Sequence, residues 1–263
     1  VTFYVLSDEA LTEYQNSDSW KDLPLSVLNA IRTNYEWKLL KDNRLFANEN
    51  EVIKTFTIED DIQLPFADTK VVVGANVTID GKGHNITLEN PSVALFESIA
   101  ESATVKNIVV VTNSASPGGT SGNIGSVTDD YAAVFAVKNE GEIESCAVEL
   151  SCAVNVSAKY FGSLVGKNSG TINNCYAVLN GSISGASNPG CLVGYMSGGG
   201  LTNGYVYANS DNVKAIVGEM GTNVTEANFN NLYYYFGGSE VVDAVGSKMS
   251  NEGDNSYSSS TFI

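Results

Sequence analysis

Few side chains in this chain are equipped for chemistry. Asp129 and Asp130 are adjacent carboxylates, a pairing whose split pKa values let one act as acid and the other as base in glycosidic hydrolysis. His84 is the single histidine, so any Ser-His-Asp or Cys-His triad has to use it. It stands in a Gly-Lys-Gly-His-Asn stretch with no Gly-x-Ser-x-Gly elbow in the chain, and reads as a turn residue packing on a neighbouring segment. Cys146, Cys152, Cys175 and Cys191 lack the Cys-x-x-Cys spacing of a zinc or redox site. A lone histidine excludes a multi-histidine zinc site. Asn/Asp-rich runs at 209–212 and 251–255 are weak calcium candidates, without a repeated calcium-loop pattern behind them. No metal, no cofactor and no catalytic residue is therefore assigned.

What remains is chemistry of contact. Tyr176, Tyr205 and Tyr233 recur at nearly constant spacing, and Tyr131 follows the aspartate pair. Aromatic rings stack on sugars and anchor protein interfaces. Tyr176, Tyr205, Tyr233, Asp129, Asp130 and Tyr131 are thus the candidate ligand-binding residues.

The elements that would position them are set by a repeat. Small–apolar–apolar triplets occur at 94–96, 133–135, 163–165, 191–193 and 215–217, the last three followed by Gly166, Gly194 and Gly218. Each is followed by an apolar residue (Val105, Ile143, Ile172, Leu201, Phe229) and, two positions on, by Asn107, Ser145, Asn174, Asn203 or Asn231. Those register positions lie 38, 29, 29 and 28 residues apart. Each copy holds short alternating strands broken by Gly and Asn, with no helix-length segment between them. A strand that meets its own copy in the same direction stacks in parallel, so the expectation is all-β: a right-handed parallel β-helix.

Period-2 alternation then assigns faces. Cys146, Val148 and Leu150 point inward, stacked with Cys175, Ala177 and Leu179 and with Gly204, Val206 and Ala208, while Tyr176, Tyr205 and Tyr233 form an outward row. Cys146 and Cys175 become neighbours in adjacent coils, expected as buried thiols because their parallel Cβ vectors suit a bridge poorly. The Asn row marks a bend, where Asn tolerates left-handed backbone and passes amide hydrogen bonds between coils. The longest interval places an extra loop at 113–130, which ends in Asp129 and Asp130.

Residues 1–51 read as an N-terminal cap, 52–236 as the β-helix and 237–263 as a Ser/Gly/Asn-rich segment at the far end. Asp22-Leu23-Pro24 resembles a helix start, and Leu25, Val27, Leu28 and Ile31 fit one face, which predicts a helix over roughly 23–33. Trp20 and Trp37 are available to cover the open solenoid end.

Composition limits the partners. With 14 basic and 30 acidic side chains the formal net charge is −16, which excludes a nucleic-acid-binding surface and would repel an anionic polymer. Both arginines, Arg32 and Arg44, precede the repeats, and lysines such as Lys106, Lys138 and Lys167 read as scattered. No run of about 18 apolar residues exists, so no membrane span is expected. The chain starts at Val1 with no charged-then-apolar leader, as expected of a mature or trimmed form whose signal peptide is out of view.

Gly74-Ala-Asn-Val-Thr-Ile-Asp-Gly-Lys-Gly-His-Asn-Ile-Thr-Leu88 resembles the opening coils of pectin-lyase-like β-helix proteins. Gly162-Ser-Leu-Val-Gly-Lys-Asn-Ser-Gly-Thr-Ile-Asn-Asn-Cys-Tyr-Ala177 resembles the GLUG repeat of bacterial, often Bacteroides-type, surface and adhesin-like proteins. The likeness implies an extracellular, cell-surface protein without enzymatic activity, which binds a host or bacterial glycan or a surface protein. Asp129-Asp130 is also similar to the adjacent aspartates of polygalacturonase-like enzymes. Their Asn-Thr-Asp, Gly-His-Gly and Arg-Ile-Lys motifs are missing here, so a glycoside hydrolase on a neutral polysaccharide ranks second and a structural stalk third.

Overall fold

The computed structural model describes residues 3–5, 8–23, 25–27, 29–42, 54–64, 70–89, 94–113, 123–124, 130–209 and 216–236. Its body is a right-handed parallel β-solenoid of about six turns. Three long ladders form its walls. The first stacks Ala30–Ile31, Lys54–Ile58, Val77–Asp80, Thr104–Lys106, Glu142–Glu144 and Thr171–Asn173. The second stacks Ile62–Leu64, Asn85–Glu89, Val109–Asn113, Ala147–Leu150 and Tyr176–Leu179. Both continue into two longer strands, Gly200–Ala208 and Phe229–Phe236, which run through the bend between them. The third ladder stacks Val71–Val73, Phe96–Ile99, Ala136–Asn139, Val165–Asn168, Val193–Met196 and Val217–Met220.

The repeat spacing sets the register residue by residue. Ile79 pairs with Val105, Val105 with Ile143, Ile143 with Ile172, Ile172 with Leu201 and Leu201 with Phe229. This column is buried, as are Cys146, Val148 and Leu150 with Cys175, Ala177 and Leu179 above them. Each large aliphatic side chain so removed from water contributes about 1.5–3 kcal/mol before ordering costs.

The bend residues Asn107, Ser145, Asn174, Asn203 and Asn231 all have φ between 52° and 57°. Asn accepts that left-handed backbone most readily among non-glycine residues. The Asn231 amide donates to Asn203 Oδ1 at 3.0 Å, and the Asn203 amide donates to Asn173 Oδ1 at 3.1 Å. Three coils below Asn203, the Asn107 amide donates to Asp80 Oδ1 at 2.9 Å.

The glycines of the repeat have a steric cause. Between the second and third ladders each large coil adds two short strands, of which the second, Tyr131–Ala133, Tyr160–Gly162 or Asn188–Gly190, stacks in parallel with its counterparts. These second strands turn back tightly onto the third ladder. A Cβ on Gly194 would lie 2.7 Å from the carbonyl carbon of Phe161, and one on Gly166 would lie 2.9 Å from the carbonyl oxygen of Ala132. Only glycine allows that backbone-to-backbone approach.

The N-terminal segment departs from expectation. No helix occupies 23–33; Leu25–Val27 is a strand paired with Phe3–Val5, and Ala30–Ile31 adds a rung to the first ladder. Leu25 and Val27 are two apart, a strand period, and hydrogen bonds to an open sheet edge outweigh the local helix signal. The helices are instead α1, Asp8–Gln15, and α2, Asn34–Asp42. α2 starts at Thr33, whose hydroxyl oxygen accepts from the Glu36 amide, while the Glu36 carboxylate accepts from the Arg32 amide at 2.7 Å. It drives Trp37 fully into the solenoid, against Phe96 at 5.8 Å between centroids, and Phe96 lies against Phe135 at 5.2 Å. Trp20 stays 44% exposed beside Tyr14. Among the described residues no helix is long and apolar enough to cross a membrane. The 237–263 segment lies outside the described residues.

Candidate functional site

The six candidate binding residues fall on two separate faces. The first is the outer surface of the second ladder. Alternation turns Tyr176, Tyr205 and Tyr233 outward in one register column, with Tyr205 and Tyr233 exposed at 43% and 47%. Tyr176 is half-buried; its hydroxyl donates to Glu149 Oε1 at 3.2 Å, and burial first, then that carboxylate, raise its phenol pKa. A second column, two residues along, carries Tyr207 and Tyr235. Their rings stack with centroids 5.1 Å apart and planes 9° from parallel, and Tyr235 is 54% exposed. Tyr234 alternates inward and packs on the core. The last coils therefore present a two-column tyrosine surface with rungs about 4.8 Å apart.

The second face is the re-entrant angle where the Tyr131–Ala133 and Tyr160–Gly162 strands fold against the third ladder. Tyr131 stacks on Tyr160 at 5.4 Å and 17°, and Tyr195 closes the group at 5.9 Å and 5.1 Å from the two. Lys159 Nζ stands 4.4 Å from the Tyr160 ring centroid, and Lys167 Nζ 5.4 Å from that of Tyr131. The Tyr160 hydroxyl donates to Glu219 Oε1 at 3.0 Å and accepts from Lys159. Burial pushes both Tyr131 and Tyr160 above the ordinary phenol range, and the Tyr160 hydroxyl raises Lys159. Asp130 is exposed, and its backbone carbonyl accepts from the Tyr160 amide at 2.9 Å. Asp129 lies outside the described residues, as does most of the 113–130 loop; of that loop Asn123–Ile124 pairs with Asn155 and Val156.

Tyr160, Tyr195, Lys159 and Tyr207 were not singled out from sequence, although Tyr160 follows Tyr131 by one 29-residue period and is its register partner. Lys138 and Lys167, which read as scattered, are also direct partners 29 residues apart.

The other reactive side chains lie in a turn and in the core. His84 sits in the predicted turn, two residues longer than the bends above it, with Nδ1 3.2 Å from Asp61 Oδ1. Asp61 also accepts from the Asn85 amide at 2.8 Å, the main cause of its lowered pKa. All four cysteines are buried and unbridged. Desolvation raises Cys146 and Cys191 well above the usual thiol range and Cys175 to about 12. Among the described residues no three His, Cys, Asp or Glu side chains gather as a metal site. The calcium candidates at 209–212 and 251–255 lie, apart from Asn209, outside the described residues.

Fold and faces together define a right-handed β-solenoid with aromatic outer surfaces. No family model, curated protein or solved structure matches this chain.

Proposed function

We propose that this chain is a non-enzymatic binding protein, secreted or displayed at a bacterial cell surface, whose outer tyrosine face engages a neutral or weakly charged glycan. The observation that carries the reading is the two-column surface of Tyr205, Tyr207, Tyr233 and Tyr235 on a rigid ladder. Tyr205, Tyr233 and Tyr235 are 43%, 47% and 54% exposed, and Tyr207 is partly buried against Tyr235. Rungs on a parallel ladder offer phenol hydroxyls and ring surfaces at a fixed repeat, suited to a chain of repeating sugar units. Such groups lose little entropy on binding, because the sheet already orders them. The charge of −16 favours a neutral chain over a polyanion. Extracellular display is what the resemblance to GLUG-repeat surface proteins implies.

A panel of neutral and acidic polysaccharides, assayed in parallel for retention and for released reducing ends, tests this. Retention of a neutral glycan without sugar release is expected. Sugar release abolished by Asp130→Asn would replace the binding reading with the glycoside hydrolase one.

A further inference from the structure

We propose a second, independent ligand site in the angle formed by Tyr131, Tyr160 and Tyr195 with Lys138, Lys159 and Lys167, which takes a single carboxylated sugar at a chain terminus. In the described span 130–209 and 216–236 the lysines are Lys138, Lys159 and Lys167, and no arginine occurs. All three belong to this one face. Lys138 and Lys167 are register partners on neighbouring rungs of the third ladder, and like charges placed directly opposite are destabilising. Lys159 approaches from the opposing strand, over the Tyr160 ring. Among the described residues none of the three ammonium groups has a carboxylate within 4 Å, in a chain with 30 acidic side chains from which to supply one.

The acids at this face form no ion pair with the three lysines among the described residues, although Glu219 and Asp130 favour the charged form of Lys159 through space. Glu219 is buried and accepts from the Tyr160 hydroxyl, and Asp130 is exposed at the strand head, contributing its backbone carbonyl to the Tyr160 amide. An adverse charge pairing beside aromatic rings is the kind of local conflict found at functional sites.

The chemistry fits a ring bearing one anion. Tyr131 and Tyr195 are partly exposed and offer ring surface for the pyranose, while the ammonium groups supply charge-assisted hydrogen bonds to a carboxylate. The net charge of −16 opposes a polyanion over long range. A terminal residue with one carboxylate feels mainly the nearby lysines, because exposed charges beyond about 8 Å are screened at physiological ionic strength.

The test uses the whole chain and two probes: a disaccharide ending in glucuronic acid, and its methyl ester. Ligand-observed NMR titration should give the acid an affinity at least about tenfold above the ester, the factor one charge-assisted hydrogen bond supplies. Lys159→Gln with Lys167→Gln should abolish that preference, with unchanged far-ultraviolet circular dichroism as the folding control. Tyr205→Ser with Tyr233→Ser should leave it intact, which separates this site from the tyrosine ladder. Equal affinity for acid and ester, binding of neither, or a preference that survives the double lysine substitution each overturns the proposal. The acid-to-ester comparison on the unaltered chain decides the matter even if the variants fold poorly.

Discussion

Tyr207 lies flat against Tyr235, with ring centroids 5.1 Å apart and planes 9° from parallel, one rung below it in the same outward column. The pair shows how the solenoid converts a sequence repeat into a surface. A spacing of 28 residues becomes a rung step, and an alternation of two residues chooses the outer face.

The bend row can be tested for backbone strain. Asn203 combines φ of 53° with amide bonds to and from its neighbours, Asn173 and Asn231. Asn203→Val should lower unfolding free energy by about 2 kcal/mol, since a β-branched residue resists left-handed backbone and the amide bonds are lost. Asn203→Gly should cost less. Urea denaturation with matched slopes measures both.

The glycine signature admits a paired control. Gly194→Ala would bring a Cβ within 2.7 Å of the Phe161 backbone, whereas a Cβ on Gly198 would meet its nearest atom at 3.9 Å. Gly194→Ala should destabilise by about 1–3 kcal/mol or more, and Gly198→Ala should be near neutral or slightly stabilising. Thermal melts of the two variants compare them directly.

Acid should loosen the early coils through Asp80. Partial burial pushes its carboxyl upward. The Asn107 amide and the Lys82 backbone N–H, with the Lys106 and Lys82 ammonium groups behind them, outweigh burial and hold it below its ordinary value. A depressed native pKa contributes stability that is present above the unfolded value of 3.8 and is lost as pH falls through the lower native value. Denaturation midpoints should therefore drop in that acidic window, and Asp80→Asn should flatten the drop.

The thiols should be silent in the folded protein. Cys146, Cys152, Cys175 and Cys191 are buried and unbridged. At pH 8 an alkylating reagent should modify none of them quickly, and all four should react after unfolding. Mass spectrometry of native and denatured samples reads the difference.

Much of the body was legible in the sequence because a parallel solenoid translates spacing directly into register. Val105, Ile143, Ile172, Leu201 and Phe229 were aligned by interval alone and stack in that order. The outward turn of Tyr205 and Tyr233 followed from parity. The cap was less legible. Leu25–Val27 has a helix-like start, yet pairs as a strand, and the Thr33–Glu36 capping pair that begins α2 was the signal to follow. Trp37, expected to cover the solenoid end, is buried there, whereas Trp20 is exposed. The Tyr131, Tyr160 and Tyr195 group was hidden for another reason. Two of its members share a ladder, but the third joins only because one strand folds back against another, and no linear period encodes that angle.

The measurement closest to the central claim is binding of a neutral oligosaccharide series to the intact chain before and after Tyr205→Ser, Tyr233→Ser and Tyr235→Ser are combined. These residues are exposed, so the fold should persist. Affinity should grow with oligosaccharide length across the rungs and fall at least about tenfold in the triple variant, since each lost stacking contact is worth about 0.5–1.5 kcal/mol. Undiminished binding in a folded triple variant, or no glycan binding by the unaltered chain, would contradict it.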